Sequence, residues 1–324
     1  MSDSRPATWP GQRVLVTGAN GFVGSHLVRE LVARGASVIA NVRPGADMWR
    51  LEPVASSISV LEAELLDIPD TRLIGAVDVV YHLAAAGTNQ ADRDAELMLR
   101  TNVMGTYRVL ELARRIRARR LVCAGTGFEY GAESKAVESR ALCPVTAYAA
   151  TKAAASLTLQ AFARSNPFPV VVLRTFSVYG PGQARHFVVP YAVANAVADR
   201  PIRLRGATQR RDFVYIDDAI SAYLKAADTA CPAGECYNVG SGREVTVREV
   251  VEEIVTLSGS KSEVVVSSGN SPHDASSADT SKSKRELGWQ AETALADGLK
   301  RTIEWFADNR TLYDSRYPNQ EPFG

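Results

Sequence analysis

The chain has 324 residues, of which 46% are hydrophobic, so it is long enough to bury a large core in one domain or in two closely joined domains. Its 37 basic and 36 acidic residues leave a formal net charge of +1, which excludes a strong overall field toward nucleic acid or an anionic membrane. No apolar run has the length of a signal peptide or of a membrane span, so we expect a cytoplasmic protein. Four scattered cysteines and four scattered histidines predict reduced thiols and no metal site.

Short β-branched runs alternate with helical patterns through the first half of the chain. Strands are predicted at 13–18, 36–42, 57–63, 77–84, 120–125 and 169–176, and helices at 22–35, 95–117 and 146–165. Six strands with helices between them predict an α/β fold of the Rossmann type, which is a doubly wound parallel sheet. The basic run 113–120 is interpreted as the last turn and solvated face of a helix, where cations favour the helix dipole.

The alternation loosens after about residue 176, which predicts a smaller substrate domain interleaved with the first. We expect residues 12–176 to form the dinucleotide-binding domain, with strand segments near 212–240 returning to it. Residues 177–310 would mainly bind substrate, and residues 1–11 and 311–324 would be tails. The polar stretch 267–279 is predicted to be a loop.

Three glycines, Gly18, Gly21 and Gly24, lie three residues apart between the first strand and the first helix. Glycine there allows a tight turn and a close approach of the backbone to a pyrophosphate, and the helix N-terminus favours phosphate. Because the motif opens a βαβ unit, it predicts a dinucleotide site. Further cofactor contacts are predicted in the same turn and at the end of the fourth strand: Asn20, Phe22, Val23, Leu83, Ala84 and Ala85.

The end of the second strand indicates which dinucleotide binds. An acidic residue there would accept hydrogen bonds from the ribose 2′-hydroxyl of NAD, whereas an arginine suits the 2′-phosphate of NADP. Val42 and Arg43 stand at this place, which favours NADP; NAD stays possible because arginine can also stack on adenine. Glu64 and Leu65 follow the third strand and are predicted adenine contacts, although Glu64 could also be a solvated loop carboxylate.

Tyr148 and Lys152 are four residues apart, so on a helix both project from the same face. Tyrosine normally titrates near ~10, and a neighbouring ammonium or a positively charged oxidised nicotinamide would lower the pKa of its phenol. Such a phenol could move a hydroxyl proton while hydride moves to or from a nicotinamide. Following a glycine-rich dinucleotide turn, the pair predicts a catalytic site rather than an ordinary surface helix.

A shared pattern extends from about residue 13 to residue 306 in eight segments: TGANGFVG, VVYHLAA, NVMGTYRVLELA, AGTGFEYG, YAATK, LRTFSVYGPGQ, RRDFVYIDD and YNVGSG. In these segments the chain resembles the extended short-chain dehydrogenase/reductase family, in its NAD-dependent, nucleotide-sugar epimerase and dehydratase branch. The resemblance implies that Thr126, four residues before Tyr130, steadies the substrate oxygen against Tyr148, with Lys152 as the third member of the set. It also implies that Asn102 helps to organise the cofactor site and that the turn at Tyr130 lines the substrate.

Members of this family that eliminate water commonly carry an acid directly after that threonine or one residue further on. Gly127 and Phe128 stand at those places here, and Glu129 comes one residue later. We expect Glu129 to point elsewhere, so elimination of water is disfavoured.

The substrate side is predicted from the same resemblance. Arg211 would hold a nucleotide diphosphate through a bidentate guanidinium, although an Arg-Asp pair before a strand can also be a structural ion pair. Ser177 stands where asparagine is more usual, which weakens one diphosphate contact. Arg185 and His186 could line the sugar or phosphate pocket, with a surface histidine as the alternative, and Thr88 is a candidate sugar contact.

Three functions follow for this site. The first is an NADPH-dependent 4-ketoreductase acting on a nucleotide-linked 4-keto-sugar, and the second is a nucleotide-sugar 4-epimerase that retains NAD. The third, of a different class, is a non-catalytic dinucleotide-binding protein on the same fold. The resemblance also implies a homodimer formed by the helices near 95–117 and 149–165.

Overall fold

A parallel sheet of seven strands forms the centre of the protein in the computed structural model, which describes residues 9–68, 74–88, 94–166, 168–267 and 276–317. In chain order the strands are β1 (Arg13–Thr17), β2 (Ser37–Val42), β3 (Ile58–Glu62), β4 (Val79–His82), β5 (Arg120–Thr126), β6 (Glu133–Ala136), β7 (Val170–Thr175), β8 (Ser177–Tyr179), β9 (Ile202–Arg205), β10 (Arg210–Arg211), β11 (Phe213–Tyr215), β12 (Glu235–Val239), β13 (Val245–Thr246), β14 (Val264–Ser267) and β15 (Ser276–Ala278). The α-helices are α1 (Phe22–Ala33), α2 (Ala95–Met98), α3 (Thr106–Arg115), α4 (Ala147–Ser165), α5 (Val188–Ala196), α6 (Ile216–Asp228), α7 (Val247–Ser258), α8 (Leu295–Asp308) and α9 (Arg310–Arg316). The sheet has the order β12-β7-β5-β4-β1-β2-β3.

The sheet is covered by helices on both faces. In β1, Val14 and Val16 belong to the apolar cluster that includes α1 and α6, whereas Leu15 belongs to the cluster that includes α3 and α4. Successive side chains of a strand point to opposite faces, so a strand buried on both faces is apolar throughout. This arrangement confirms the predicted doubly wound α/β fold.

The order of the strands places a crevice above β1 and β4. From β1 the chain proceeds to β2 and β3 on one side, and from β4 to β5, β7 and β12 on the other. In open α/β sheets, ligands bind at the carboxyl ends of the strands where the order reverses. Thr17, His82 and Thr126 end β1, β4 and β5, so they lie along this edge of the sheet.

The six strands predicted in the first half are present as β1 to β5 and β7, and β12 supplies the seventh. The predicted single helix at 95–117 was wrong in its middle. There α2 continues into a π-helical segment, Leu99–Gly105, before α3 begins. Such segments often occur at functional sites.

The predicted loop at 267–279 was wrong at its end, because residues 276–278 form β15, which pairs in parallel with β6. Residues 268–275 of that stretch, and residues 1–8 and 318–324 of the predicted tails, lie outside the described residues. Within the predicted tails, Trp9 is buried in the core and α9 packs as a helix.

The basic run 113–120 is divided between two elements. Its first part ends α3, whereas Arg120 is buried in β5. The guanidinium groups of Arg119 and Arg120 donate to the carbonyl oxygens of Ala227 and Thr229 where α6 ends, at 2.8 and 3.0 Å. None of the helices described is both long and apolar enough to cross a membrane.

Candidate active site

The glycine-rich turn between β1 and α1 is shaped by contacts that exclude side chains. Gly18 has φ +66°, and a Cβ on it would lie 2.6 Å from the Ala84 nitrogen. A Cβ on Gly24 would collide with the Gly18 carbonyl oxygen. Gly18 therefore lets the turn approach the end of β4, and Gly24 lets α1 pack against the turn.

The N-terminus of α1 faces the crevice without a capping side chain. Gly21 is the N-cap residue, and among the described residues no side chain caps the N–H groups of the first turn, which begins with Phe22 and Val23. Helix N-terminal N–H groups without a cap are a binding site for phosphate. Asn20 holds the loop after β2, because its Nδ2 donates to the Asp47 carbonyl oxygen at 3.2 Å.

The end of β2 offers one exposed cation and no acid. Val42 is buried, and Arg43 is exposed directly after the strand. Asn41 is buried and donates to the carbonyl oxygens of Leu61 and Ala63, at 3.1 and 3.0 Å, so its amide is engaged inside the sheet.

The predicted adenine contacts differ in burial. Glu64 is exposed after β3. Leu65 is buried against the π-helical segment, since a Cβ on Gly105 would lie 2.8 Å from the Leu65 Cδ1. The apolar contact of Leu65 is therefore directed into the protein.

A histidine that was not predicted as a site residue supports the floor of the crevice. His82 Nδ1 lies 2.7 Å from Thr17 Oγ1, and its Nε2 lies 2.9 Å from Thr106 Oγ1. Thr106 donates its own proton to the Asn102 carbonyl oxygen at 2.6 Å, so it accepts from His82 Nε2. Burial lowers the pKa of His82 to about 3, so the ring is neutral at pH 7. Its role is structural.

Asn102 lies in the π-helical segment and connects the end of β4 to α4. Its Oδ1 accepts from the Ala86 nitrogen at 2.8 Å, and its Nδ2 donates to the Ala86 oxygen at 3.0 Å. The same Nδ2 donates to Thr151 Oγ1 at 3.0 Å, and Thr151 donates to the Tyr148 carbonyl oxygen at 2.9 Å. These bonds fix the segment that follows Leu83 relative to the helix that carries Tyr148.

Tyr148, Lys152 and Ser156 form one face of α4, at intervals of four residues. Ser156 Oγ lies 3.0 Å from Glu129 Oε1, so this face is directed at the short helical turn Gly127–Tyr130 after β5. Thr126, the residue before that turn, is buried at the end of β5. The structure thus brings Thr126, Tyr148 and Lys152 to one end of the sheet.

The charge environment of Tyr148 differs from the expectation. Burial raises the pKa of Tyr148, and the Glu129 carboxylate raises it further. Burial lowers the pKa of Lys152, while Glu129 and Cys123 oppose that effect. In the chain by itself the pKa of the phenol is therefore raised, whereas we expected a neighbouring ammonium and a bound oxidised nicotinamide to lower it.

Glu129 is fully buried and its carboxylate is occupied by three donors. Oε1 accepts from the Thr126 nitrogen at 2.9 Å and from Ser156, and Oε2 accepts from Arg174 Nε at 2.8 Å. Together with the bond from the Phe128 nitrogen to Thr126 Oγ1, at 3.3 Å, this is a capping box. The carboxylate therefore points away from the crevice.

Tyr130 lies in the core rather than along a substrate cleft. It is 3% exposed, and its ring stacks on Phe176. Its hydroxyl donates to Asn238 Oδ1 and accepts from Arg174 Nη1, both at 2.8 Å. The expected lining role of Tyr130 was therefore wrong, since both the ring and the hydroxyl are used inside the protein.

Arg211 and Asp212 do not form the structural ion pair considered above. Asp212 is buried and accepts instead from the nitrogens of Ser241, Gly242 and Ala278 and from the Ser241 hydroxyl, at 2.6 to 3.0 Å. The Arg211 guanidinium lies 5.2 Å from the centre of the Phe128 ring and donates to Gln209 at 2.9 Å. It therefore stacks on the turn that follows Thr126.

The remaining predicted substrate contacts are less closely grouped. Thr88 is exposed beyond β4, and Ser177 is half-buried in β8. His186 is half-buried beside Phe187, and burial, with Arg50, lowers its pKa.

Arg185 is directed toward α9. Its guanidinium pairs with Asp314 and donates to the Tyr317 carbonyl oxygen at 2.9 Å. This placement argues against a role for Arg185 in a sugar or phosphate pocket.

Known proteins resemble this chain in both sequence and fold. The model of the NAD dependent epimerase/dehydratase family matches residues 14–240. The chain belongs to this family. It is an enzyme of the extended short-chain dehydrogenase/reductase type, as the sequence motifs predicted.

Relatives of this family match nearly the whole chain. A dTDP-glucose 4,6-dehydratase from Streptomyces niveus is 31% identical over 93% of this chain and 95% of its own. A dTDP-glucose 4,6-dehydratase from Streptomyces venezuelae, solved with NAD, is 30% identical with a TM-score of 0.86, over 94% of this chain and all of its own. The UDP-glucose 4-epimerase of Thermotoga maritima, solved with UDP-glucose, is 28% identical with a TM-score of 0.85, over 93% of this chain and all of its own.

In this chain the glycine-rich turn between β1 and α1 fits a bound dinucleotide. Side chains at Gly18 and Gly24 would collide with the neighbouring backbone, so the turn is lined by backbone, and α1 presents its uncapped N-terminus to it.

The ion pair between Glu129 and Arg174 was not predicted from the sequence. The two residues lie 45 positions apart, and neither belongs to a recognisable local motif with the other.

Proposed function

We propose that this enzyme is an NADPH-dependent 4-ketoreductase of a nucleotide-diphosphate sugar. The observation that carries the proposal is the grouping of Thr126, Tyr148 and Lys152 at one end of the sheet, next to a turn whose only carboxylate is occupied. The similar proteins named above act on dTDP-glucose and UDP-glucose, which supports a nucleotide sugar as the substrate class.

The chemistry needs a proton donor beside the carbonyl carbon that is reduced. A bound reduced nicotinamide supplies the hydride. Burial raises the pKa of Tyr148, so its phenol carries a proton at neutral pH and can donate it to the oxygen of carbon 4. Thr126 would donate a hydrogen bond to the same oxygen. Lys152, on the same face of α4, would supply positive charge as negative charge develops on that oxygen.

Elimination of water is the less favourable chemistry for this turn, although several relatives are dehydratases. Gly127 has no side chain to offer, and Phe128 has no ionisable group. Glu129 is 0% exposed with both oxygens bonded, so it cannot reach a substrate hydroxyl or C–H group without breaking its bonds to Thr126 and Arg174. A buried carboxylate with three donors is costly to release.

NADP is the proposed cofactor because of the end of β2. Arg43 is exposed where a 2′-phosphate would lie, and Val42 occupies the place of the acid that would favour NAD. The guanidinium of arginine is suited to phosphate. Solved relatives bind NAD, so NAD is the cofactor of the alternative proposal below.

Arg211 is the proposed anchor for the diphosphate. It is 8% exposed and stacks on Phe128, two residues after Thr126. A guanidinium fixed in this way could bind a diphosphate and hold the attached sugar near the catalytic threonine.

A 4-epimerase that retains NAD is the second candidate. Epimerases are among the similar proteins, and the same three residues would serve oxidation and reduction of carbon 4 in turn. Retained NAD would return to its starting state after each cycle, so no net consumption of NADPH would be seen.

The active form is proposed to be a homodimer. Five large apolar side chains are exposed on the neighbouring segments α2, Leu99–Gly105, α3 and α4: Leu97, Leu99, Met104, Tyr107 and Leu157, at 38 to 54% exposure. A patch of this kind on adjacent helices is typical of a protein interface.

The deciding experiment begins with the dinucleotide released from purified protein on denaturation. NADPH and NADH oxidation are then measured with a panel of nucleotide-linked 4-keto-sugars. We expect NADPH oxidation in the wild type and a loss of about 10²-fold or more in Tyr148→Phe. Tyr107→Phe is the matched control, because it removes a tyrosine hydroxyl from the exposed side of α3 and keeps the apolar ring that the proposed dimer would bury.

Three results would contradict the reductase proposal in different ways. Tightly retained NAD together with interconversion of a stable sugar pair, without NADPH oxidation, would establish the epimerase instead. Formation of a 4-keto-6-deoxy sugar from a 4-hydroxy sugar would establish elimination of water. No turnover in the wild type, together with dinucleotide binding that is unchanged in Tyr148→Phe, would favour the non-catalytic alternative.

A further inference from the structure

Glu129 belongs to a buried network that the proposed reaction does not use directly. The residue is 0% exposed, and its ion-pair partner Arg174 is 2% exposed. Burying an ion pair is unfavourable unless further hydrogen bonds satisfy both charges, so such a pair often fixes a specific geometry rather than adding stability.

The carboxylate bonds directly to the backbone of the catalytic threonine. Glu129 Oε1 accepts from the Thr126 nitrogen at 2.9 Å, and Oε2 accepts from Arg174 Nε at 2.8 Å. Thr126 has an extended backbone, with φ −147° and ψ 146°, and its hydroxyl accepts from the Phe128 nitrogen. The orientation of the Thr126 side chain therefore depends on a turn whose two ends are joined through Glu129.

The same carboxylate fixes the turn relative to the catalytic helix. Ser156 Oγ donates to Glu129 Oε1 at 3.0 Å, and Ser156 lies four residues after Lys152 on α4. Glu129 thus contacts the strand end that carries Thr126 and the helix that carries Tyr148. A shift of about 1 Å between two catalytic groups can lower a rate by ~10²-fold, so this connection has consequences for turnover.

Arg174 extends the network toward the substrate half of the protein. Its Nη1 donates to the Tyr130 hydroxyl, which donates to Asn238 on β12. Asn238 Nδ2 then donates to the carbonyl oxygens of Ala136 and Asp279, at 2.7 and 3.1 Å. The turn after Thr126 is therefore fixed by hydrogen bonds through Glu129 at the end of β5 and through Tyr130 and Asn238 to the segments near Ala136 and Asp279.

We propose that Glu129, held by Arg174, is a positioning residue that sets the orientation of the Thr126 hydroxyl relative to Tyr148 during reduction of the sugar ketone. This inference rests on the proposed function for the role of Thr126. It assigns to Glu129 a part in the reaction that requires no contact with substrate.

The test compares the removal of the pair with the removal of a similar cap elsewhere. Glu129→Met with Arg174→Met removes both charges at similar volume, which avoids an unpaired buried charge. Glu129→Gln is the second variant. In either orientation of the glutamine amide, its NH2 group faces a hydrogen-bond donor, which is the Thr126 nitrogen or Arg174 Nε, so one of the two bonds is lost. Glu249→Gln is the matched control, because Thr246 and Glu249 form the same type of capping box at the start of α7.

The first readout is hydrogen exchange at the Thr126 amide, which needs no substrate. We expect exchange to become about tenfold faster or more in the double methionine variant, because the acceptor of the Thr126 N–H is lost, and to be unchanged in Glu249→Gln. In Glu129→Gln we expect faster exchange than in the wild type, because the NH2 group of the glutamine faces either the Thr126 nitrogen or Arg174 and loosens the turn. The second readout is the separation of kcat from KM. We expect kcat to fall about 10- to 100-fold with KM within about twofold, since positioning affects the transition state more than binding.

The third readout asks whether Glu129 acts through Thr126. When Thr126→Ala is added to the Glu129 variants, we expect no further loss of kcat, because residues that act as a unit are not additive. Additive losses, or an unchanged kcat in a variant whose Thr126 amide exchanges rapidly, would overturn the inference. If the wild type turns over none of the sugar panel, the proposed function falls, while the exchange rates still decide whether Glu129 holds Thr126.

Discussion

Tyr148 is subject to two influences that favour its protonated form. Burial has the largest effect on its pKa, and the Glu129 carboxylate acts in the same direction. An acid that stays protonated well above neutrality is suited to donate a proton to a ketone oxygen, whereas oxidation of an alcohol would need the phenolate.

This leads to a prediction for the pH dependence of reduction. A raised pKa means that the donor stays protonated until the pH rises through that raised value, which lies above the ordinary value of about 10. We expect kcat/KM for the keto-sugar, at saturating NADPH, to stay level from about pH 7 to about pH 10. Initial rates of NADPH oxidation across this range measure it, with Tyr148→Phe as the background. An alkaline decline with a midpoint at about pH 8 would contradict this prediction: either the phenol pKa is lowered, as the sequence alone suggested, or the Lys152 ammonium, whose pKa burial lowers, loses its proton in this range. The same decline in the residual rate of Tyr148→Phe would assign it to Lys152.

Single residues were predicted from sequence to different extents. Tyr148 and Lys152 could be selected because a spacing of four residues places them on one helix face, whereas Thr126 was selected through the family resemblance. The position of the Glu129 carboxylate could not be predicted, because it depends on Arg174. Arg174 is distant in sequence and becomes a neighbour of Glu129 only when β5 and β7 pair. The lining role expected for Tyr130 failed for the same reason, since its hydroxyl partner Asn238 lies on β12.

Between β1 and α1, one glycine of the motif serves packing and another serves cofactor binding. Gly24 lies against the backbone of Gly18, whereas a Cβ on Gly21 would meet only the Gly18 oxygen, at 3.1 Å. Gly21 is exposed and lies at the N-terminus of α1, where a pyrophosphate would approach. The two glycines therefore serve different purposes despite their equal spacing.

Alanine substitutions should distinguish these purposes. We expect Gly24→Ala to lower the free energy of unfolding by about 1–3 kcal/mol, because the added methyl group forces the turn and helix apart. We expect Gly21→Ala to unfold near the wild-type temperature but to bind NADPH about tenfold more weakly, because its methyl group obstructs the approach of the pyrophosphate. Thermal unfolding and NADPH fluorescence titration measure the two effects. Equal loss of stability in both variants would contradict this separation.

Among the elements, regular ones were easier to predict than interrupted ones. The strands and α1 follow from the periodicity of apolar residues. The π-helical segment Leu99–Gly105 does not, because its apolar residues still recur at helical spacing. Its irregularity accompanies the bonds from Asn102 to Ala86 and Thr151, which involve segments far away in the sequence.

For the whole molecule, the alternation of strands and helices was sufficient to predict the doubly wound sheet. The smaller half was harder, because its strands have two to four residues and pair across long stretches of chain. The pairing of β15 with β6 is an example: it joins residues near 277 to residues near 135. Such short strands carry too few side chains to show an alternating pattern.

The exposed apolar patch of α2, Leu99–Gly105, α3 and α4 allows a test of assembly. Leu99 and Leu157 are 52% and 54% exposed, so full burial of each against a partner would add about half of the ~1.5–3 kcal/mol of a fully exposed side chain, which is about 1 kcal/mol. We expect the wild type to sediment as a dimer and Leu99→Glu with Leu157→Glu to sediment as a folded monomer, because a buried carboxylate without a partner is unfavourable. Val60→Glu is the matched control, since Val60 is 47% exposed on β3 at the edge of the sheet, away from these helices. Dissociation by Val60→Glu instead would place the interface at the sheet edge, and a monomeric wild type would rule out the proposed dimer.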